Sequence, residues 1–200
     1  MKHLEHLFAN NRRWTRKVEE ERPGFFQQLA SQQAPEYLWV GCSDSRVPAN
    51  EIVGLLPGEL FVHRNVANII VHSDLNALSV LQYAVEILRV RHVIVCGHYG
   101  CGGIRAAMED KRHGLIDNWL CHIKDIYRYH ADRINALPSD TERCDLLCEL
   151  NVIEQVKNIA QTTVIRDARL RGQQVTVHGW VYSIHNGLLK DLEICVDTGD

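Results

Sequence analysis

The stretch His92-Val93-Ile94-Val95-Cys96-Gly97-His98-Tyr99-Gly100-Cys101-Gly102-Gly103 decides the fold. Its first five residues form an apolar run of strand length, ended by the glycines that follow. The run reads as a buried strand that delivers an imidazole and a thiol just beyond its carboxyl end. Upstream, Glu36-Tyr37-Leu38-Trp39-Val40-Gly41 reads as another such strand, followed by Cys42-Ser43-Asp44-Ser45-Arg46. Two thiols and an imidazole, with a carboxylate two residues from the first thiol, make a tetrahedral zinc set of Cys42, His98, Cys101 and Asp44.

Working outward, residues 60–64 read as a strand and 75–90 as one strong helix. In that helix Leu78, Leu81, Val85 and Leu88 recur at helical spacing, with Ser73 or Asp74 as its cap. A helix begins at 102–109. Residues 110–150 read as mostly helical with a break near Pro138-Ser139-Asp140, and 151–170 as a further long helix. Residues 174–182 alternate and are β-rich. Asn186-Gly187 signals a tight turn into a last strand over 188–196, expected as an antiparallel edge. Residues 1–33 read as a helical arm, with Trp14 and Val18 on one face and a break at Pro23-Gly24 before Phe25, Phe26 and Leu29. Strands alternating with helices predict an α/β fold: a mostly parallel central sheet with an antiparallel edge strand, flanking helices and an N-terminal helical arm. A single domain over 1–200 is expected, with 1–33 packing on a partner subunit. Open α/β sheets bind ligands at the carboxyl ends of their strands, where Cys42, His98 and Cys101 fall.

A net charge of −3 offers no basic surface for nucleic acid. No apolar stretch is long enough to span a bilayer. Met1 to His6 lack the apolar centre of a signal peptide, so a cytoplasmic protein is expected. Seven cysteines, an odd count without an export signal, point to reduced thiols rather than disulfides. Cys96 reads as a buried small hydrophobe. Cys144 and Cys148 share a helical face with no matching ligand neighbours.

Cys42-Ser43-Asp44-Ser45-Arg46 with the later His98-Tyr99-Gly100-Cys101-Gly102-Gly103 closely resembles the β-class carbonic anhydrases. The resemblance extends in order along the chain, through Leu60 to Asn68, Glu149-Leu150-Asn151-Val152 and His178-Gly179-Trp180. It implies one zinc ion per subunit and reversible hydration of carbon dioxide to bicarbonate and a proton, by attack of zinc-bound hydroxide. It further implies Gln33 and the Gly102 amide as donors to substrate. Phe61, Val66 and Tyr83 would line a narrow apolar cleft, partly contributed across a dimer interface, so a dimer or tetramer is expected. Trp39, Arg64 and Tyr182 occur together here as in a bacterial, bicarbonate-regulated type II subgroup. There they are associated with a second, non-catalytic bicarbonate site. The alternative is that Trp39 and Tyr182 are core aromatics and Arg64 only bridges an Asp or Glu.

Two roles are open to Asp44. It can occupy the fourth zinc position, or it can pair with Arg46 and accept a hydrogen bond from zinc-bound hydroxide. The resemblance implies both, in a closed inactive and an open active state. Two thiolates donate more charge than two imidazoles, so the bound water should be less acidic and activity should favour alkaline pH. Rival readings are a structural zinc site, a family enzyme acting on another small heteroallene such as carbon disulfide, and a zinc module that senses bicarbonate without catalysis. His63 is the nearest candidate in sequence to carry a proton from the site.

Overall fold

The computed structural model describes residues 3–31 and 33–198; Met1, Lys2, Gln32, Gly199 and Asp200 lie outside the described residues. The chain divides into an N-terminal unit, Met1–Ala34, and a main unit, Pro35–Asp200. In the first, α1 (Glu5–Glu21) and α2 (Phe25–Ser31) meet through an edge-on contact of Trp14 with Phe26, ring centroids 5.5 Å apart. Gly24, at φ +80°, turns the chain between them, so the Pro23-Gly24 break falls where its chemistry requires.

The main unit alternates strand and helix. It runs β1 (Tyr37–Cys42), α3 (Ala49–Val53), β2 (Leu60–Asn65), α4 (Leu75–Gln82), β3 (His92–His98), α5 (Gly102–Met108), α6 (Ile116–Tyr129), α7 (Ala131–Asn135), α8 (Asp140–Ala160), α9 (Thr163–Leu170), β4 (Thr176–Tyr182) and β5 (Leu189–Asp197). The strands form one sheet in the order β2-β1-β3-β4-β5. The first four are parallel and β5 pairs antiparallel with β4. After β1 the chain moves to one side of the sheet, and after β3 to the other. The crevice at this change of direction, at the carboxyl ends of β1 and β3, is where such sheets bind ligands.

Period-two alternation sorts the strands into two faces. Leu38, Val40, Val93, Val95, Val177 and Val181 pack against Leu81, Val152, Val156, Ile159 and Ile165 from α4, α8 and α9. Trp39, Ile94 and Cys96 face the other way, with Ala49. A further cluster joins Cys42 and Cys101 to Ile104, Leu120, Ile123 and Leu147 of α5, α6 and α8. Fully burying one such side chain contributes about 1.5–3 kcal/mol. Cys96 is fully buried, and burial pushes its thiol up.

Two boundaries differ from the sequence expectation. The helix expected over 75–90 starts as anticipated, with the Asp74 carboxylate capping Asn76 and Ala77. It then opens into a widened turn over Tyr83–Ile87, with the Leu88 amide reaching back to Tyr83 O. The break expected before residue 151 is absent. A reciprocal Ser139–Glu142 capping box starts α8, which runs unbroken to Ala160 because its buried stripe continues from Leu147 through Val152 to Ile159. The break falls instead at Thr162, whose hydroxyl caps α9 at Ile165. Among the described residues, no helix is long and apolar enough to cross a membrane.

Candidate metal centre

Cys42 is the last residue of β1 and His98 the last of β3, and these strands pair in parallel register from Tyr37↔His92 to Gly41↔Cys96. Cys101 sits at the N-cap of α5, brought back by Gly100 at φ +70°, a conformation costly for a side chain with a Cβ. One donor atom from each of Cys42, His98 and Cys101 lies within 4.8 Å of the others, and all three residues are buried. The two Sγ atoms are 3.9 Å apart. Tetrahedral zinc with Zn–S bonds of about 2.3 Å would set two sulfurs roughly 3.8 Å apart.

The imidazole fits the same conclusion. His98 Nδ1 lies 3.0 Å from Tyr99 O, a contact in which it donates its proton. Nε2 then carries the lone pair. That atom is buried and has no hydrogen-bond partner among the described residues. Asp44 Oδ2, 3.7 Å away, is too far to serve as one. A buried lone pair beside two thiols is a donor set for a soft or borderline cation. The hydrogen bond between the two sulfurs pushes Cys42 down and Cys101 up. The Ala67 amide donates to Cys42 Sγ at 3.4 Å.

Asp44 is turned toward Arg46. Arg46 Nε donates to Oδ1 at 2.9 Å and Nη2 to Oδ2 at 2.6 Å, and the Arg46 amide donates to Oδ1 at 2.9 Å. These bonds hold the Asp44 carboxyl well below the usual carboxylate range. Arg46 Nη2 also reaches Gly100 O at 3.4 Å, joining the loop after β1 to the loop after β3.

Arg64 departs from the alternative raised for it. Among the described residues it bridges no Asp or Glu side chain; Nε donates to Cys42 O at 2.8 Å and Nη2 to Asp44 O at 2.6 Å. Strand register aligns Trp39 with Val62 and Gly41 with Arg64, so Trp39 and Arg64 share a sheet face. Tyr182 lies on that face two residues beyond Trp180, which meets the buried Trp39 edge-on with centroids 6.5 Å apart. Phe61, on the opposite face of β2, meets Tyr83 at 5.8 Å, and Tyr83 is exposed. Val66 packs on the cluster containing Cys42 and Cys101, and Gly102 is the exposed first residue of α5. Gln33 belongs to the N-terminal unit and is exposed. His63 is buried, and burial pushes it below its ordinary value, which ill suits a surface proton carrier.

Sequence reasoning gave no role to Ala67, Asn151 or Gln155, nor to the chain in which Tyr99 and Lys190 both donate to Glu149 Oε1, at 2.5 and 2.7 Å. The signal that could have found them is a polar stripe, Asn151, Gln155 and Asn158, at helical spacing within a buried helix.

The carbonic anhydrase family profile matches residues 37–189. The chain belongs to the β-class carbonic anhydrases. A carbonic anhydrase from Emericella nidulans is 48% identical over 188 residues, 94% of this chain and 82% of that protein. One of two tetrameric β-carbonic anhydrases from the filamentous ascomycete Sordaria macrospora superposes with a TM-score of 0.92 at 38% identity, covering 98% of this chain and all of that one. The β-carbonic anhydrase CafA of Aspergillus fumigatus gives 0.89 at 42% identity, over 94% and 90% of the two chains. These relatives are fungal, so the comparisons support the class and not the expected bacterial subgroup. As a carbonic anhydrase, the protein is an enzyme that interconverts carbon dioxide and bicarbonate.

Proposed function

We propose that Cys42, His98 and Cys101 hold one zinc ion per subunit, and that the Asp44–Arg46 pair decides whether its fourth position is open. The supporting observation is the two-pronged grip of Arg46 on a carboxylate whose Oδ2 lies only 3.7 Å from the unpartnered His98 Nε2. Zinc in such a set supplies, when bound, a nucleophile from water near neutral pH. Arg46 keeps Asp44 out of the donor set. Held there as an anion, Asp44 accepts hydrogen bonds only, so it takes the O–H of the attacking group and leaves a lone pair facing substrate. Phe61, Val66 and Tyr83 offer apolar surface suited to uncharged carbon dioxide, with the Gly102 amide as a donor to its oxygens.

Bicarbonate would act as an inhibitor at Trp39, Arg64 and Tyr182. Arg64 provides the planar fork for an oxyanion, and Trp39 and Tyr182 provide single donors. Because Arg64 already holds Cys42 O and Asp44 O, an anion that engages its guanidinium competes with those bonds. The loop over 43–48 is then freed and Asp44 can turn to the metal. Such inhibition requires tighter anion binding to the closed state.

Self-association to a dimer or tetramer accords with α1, which buries none of its residues and exposes Leu7, Phe8 and Trp14. The Sordaria relatives are described as tetrameric. Sedimentation of the full chain over a range of concentrations tests this; a monomer throughout would reject it. A cytoplasmic setting accords with the reduced thiols that the centre needs.

The deciding experiment is stopped-flow hydration of carbon dioxide by zinc-loaded protein from about pH 6.5 to 9. Rapid hydration that rises with pH is expected, and zinc-loaded protein inert at every pH would overturn the catalytic assignment. In the same assay, Trp39→Phe should weaken bicarbonate inhibition and flatten the pH response. Unchanged inhibition would remove the regulatory site while leaving the catalytic one.

A further inference from the structure

Two consecutive residues without glycine's freedom, Ala67 at φ +63° and Asn68 at φ +48°, adopt left-handed backbone between β2 and α4. Such conformations persist only where the surroundings impose them. Here four side chains do so. Trp119 Nε1 donates to Val66 O at 2.8 Å, and Asn151 Nδ2 donates to Ala67 O at 2.9 Å. The Ile70 amide donates to Gln155 Oε1 at 2.8 Å, and Asn158 Nδ2 donates to Ile70 O at 2.9 Å. Gln155 Nε2 in turn donates to Asn151 Oδ1 at 3.0 Å, fixing which way the Asn151 amide points. Asn151 and Gln155 are each 1% exposed, so α8 commits two uncharged polar side chains to the protein interior for this purpose.

The product of this clamp is one bond. The strained turn aims the Ala67 amide at Cys42 Sγ, 3.4 Å away, from the side of the sulfur within the protein. An N–H directed at a thiolate withdraws charge from it. A metal held by that sulfur receives less electron density, and the sulfur is pinned in place. The chain of contact runs from Gln155 through Asn151 to the Ala67 carbonyl, and across the left-handed Ala67 Cα to its amide and the Cys42 sulfur; Trp119 holds the peptide of that amide from its other end, at Val66 O.

We infer that Asn151, oriented by Gln155, is a positioning residue for the metal centre: it holds the carbonyl of the left-handed Ala67, so that the amide on the other side of the Ala67 Cα, in the peptide that Trp119 holds at Val66 O, bonds the Cys42 sulfur and tunes the bound metal. The inference rests on the reading of Cys42 as a metal ligand.

The test uses the full chain with cobalt(II) in place of zinc, where absorption from sulfur-to-cobalt charge transfer reports directly on the thiolates. Zinc affinity is measured in parallel against a chelator. Asn151→Leu keeps the branched skeleton and removes both hydrogen bonds. It should shift the charge-transfer band and weaken metal binding by about 10–100-fold, the usual consequence of losing an outer-shell partner. Ile159→Ala, a cavity on the same helix away from the turn, serves as the control for lost stability and should change neither readout. Gln155→Leu should act in the same direction but more weakly, and it carries the test should Asn151→Leu fail to fold. Ala67→Gly removes the cost of the left-handed conformation and should restore part of the affinity lost in either variant. A folded clamp variant with the affinity and cobalt spectrum of the parent would overturn the inference. A parent protein that binds cobalt without any thiolate band would overturn the ligand reading itself.

Discussion

At the residue scale, Arg46 carries the proposed gate, since its guanidinium holds Asp44 beside the candidate metal centre. Its two-pronged hold on Asp44 is screened by solvent because Arg46 is exposed, so removing the guanidinium should move the balance between open and closed Asp44 by roughly 5-fold. Arg46→Ala is therefore expected to lose carbon dioxide hydration on that scale while keeping its full zinc content. Stopped-flow rates beside metal analysis check this, and loss of zinc along with activity would show that Arg46 supports the donor residues rather than the state of Asp44. The sign of the Asp44 pKa shift bears on pH. Its folded carboxyl titrates below its unfolded value of about 3.9, so the pair's contribution is complete above that value and is lost only as pH falls through the lower folded one. Any pH response between 6.5 and 9 must therefore arise elsewhere than in protonation of Asp44, as at the nucleophile itself.

At the scale of elements, the packing of α8 on the sheet depends on Gly179. A register shift in the β4–β5 pairing lies between His178 and Trp180, and a Cβ at Gly179 would come within 2.6 Å of Ile194 Cγ2 and 3.1 Å of Val152 Cγ1. Gly179→Ala should cost about 1–3 kcal/mol, as overpacking does, visible in chemical denaturation at constant metal occupancy. The strands were legible in the sequence because each is a short apolar run bounded by turn residues. The donor triad was legible because two thiols and an imidazole seldom gather at the ends of two buried strands for packing alone. The helix boundaries around 150 and 162 were not, since a cap such as Thr162 reads as one threonine among many until the chain turns on it. The partners of Arg64 were not legible either, for a related reason. A guanidinium in a sequence invites an acidic partner, whereas here the nearest acceptors are the carbonyls of Cys42 and Asp44, which no pattern of side chains can announce.

For the whole molecule, one pH-dependent contribution to stability comes from His178, half-buried on β4. His178 contacts His92, Nε2 to Nδ1 at 3.1 Å, and burial, reinforced by His92, pushes His178 down while Asp191 and Asp197 pull it up. A histidine lowered in the fold is protonated first in the unfolded chain. Its contribution is therefore full above the ordinary histidine value of about 6.5 and is lost as pH falls from there toward the folded value. The melting temperature should drop as pH falls below about 6.5, and His178→Gln should flatten that part of the profile. An unaltered profile would assign the acid sensitivity to other groups, with the buried His63 next in line.

Strand β3 lies in the middle of the sheet, hydrogen-bonded to β1 on one side and β4 on the other. Its amide hydrogens can meet solvent only when both neighbours separate, an opening close in cost to global unfolding. In deuterium oxide, 93–97 should therefore be among the last amides to exchange, and stripping the metal should speed the loops that follow β1 and β3 without exposing this strand. The protein would then lose and regain its metal while the strand that presents His98 remains the slowest-exchanging part of the chain.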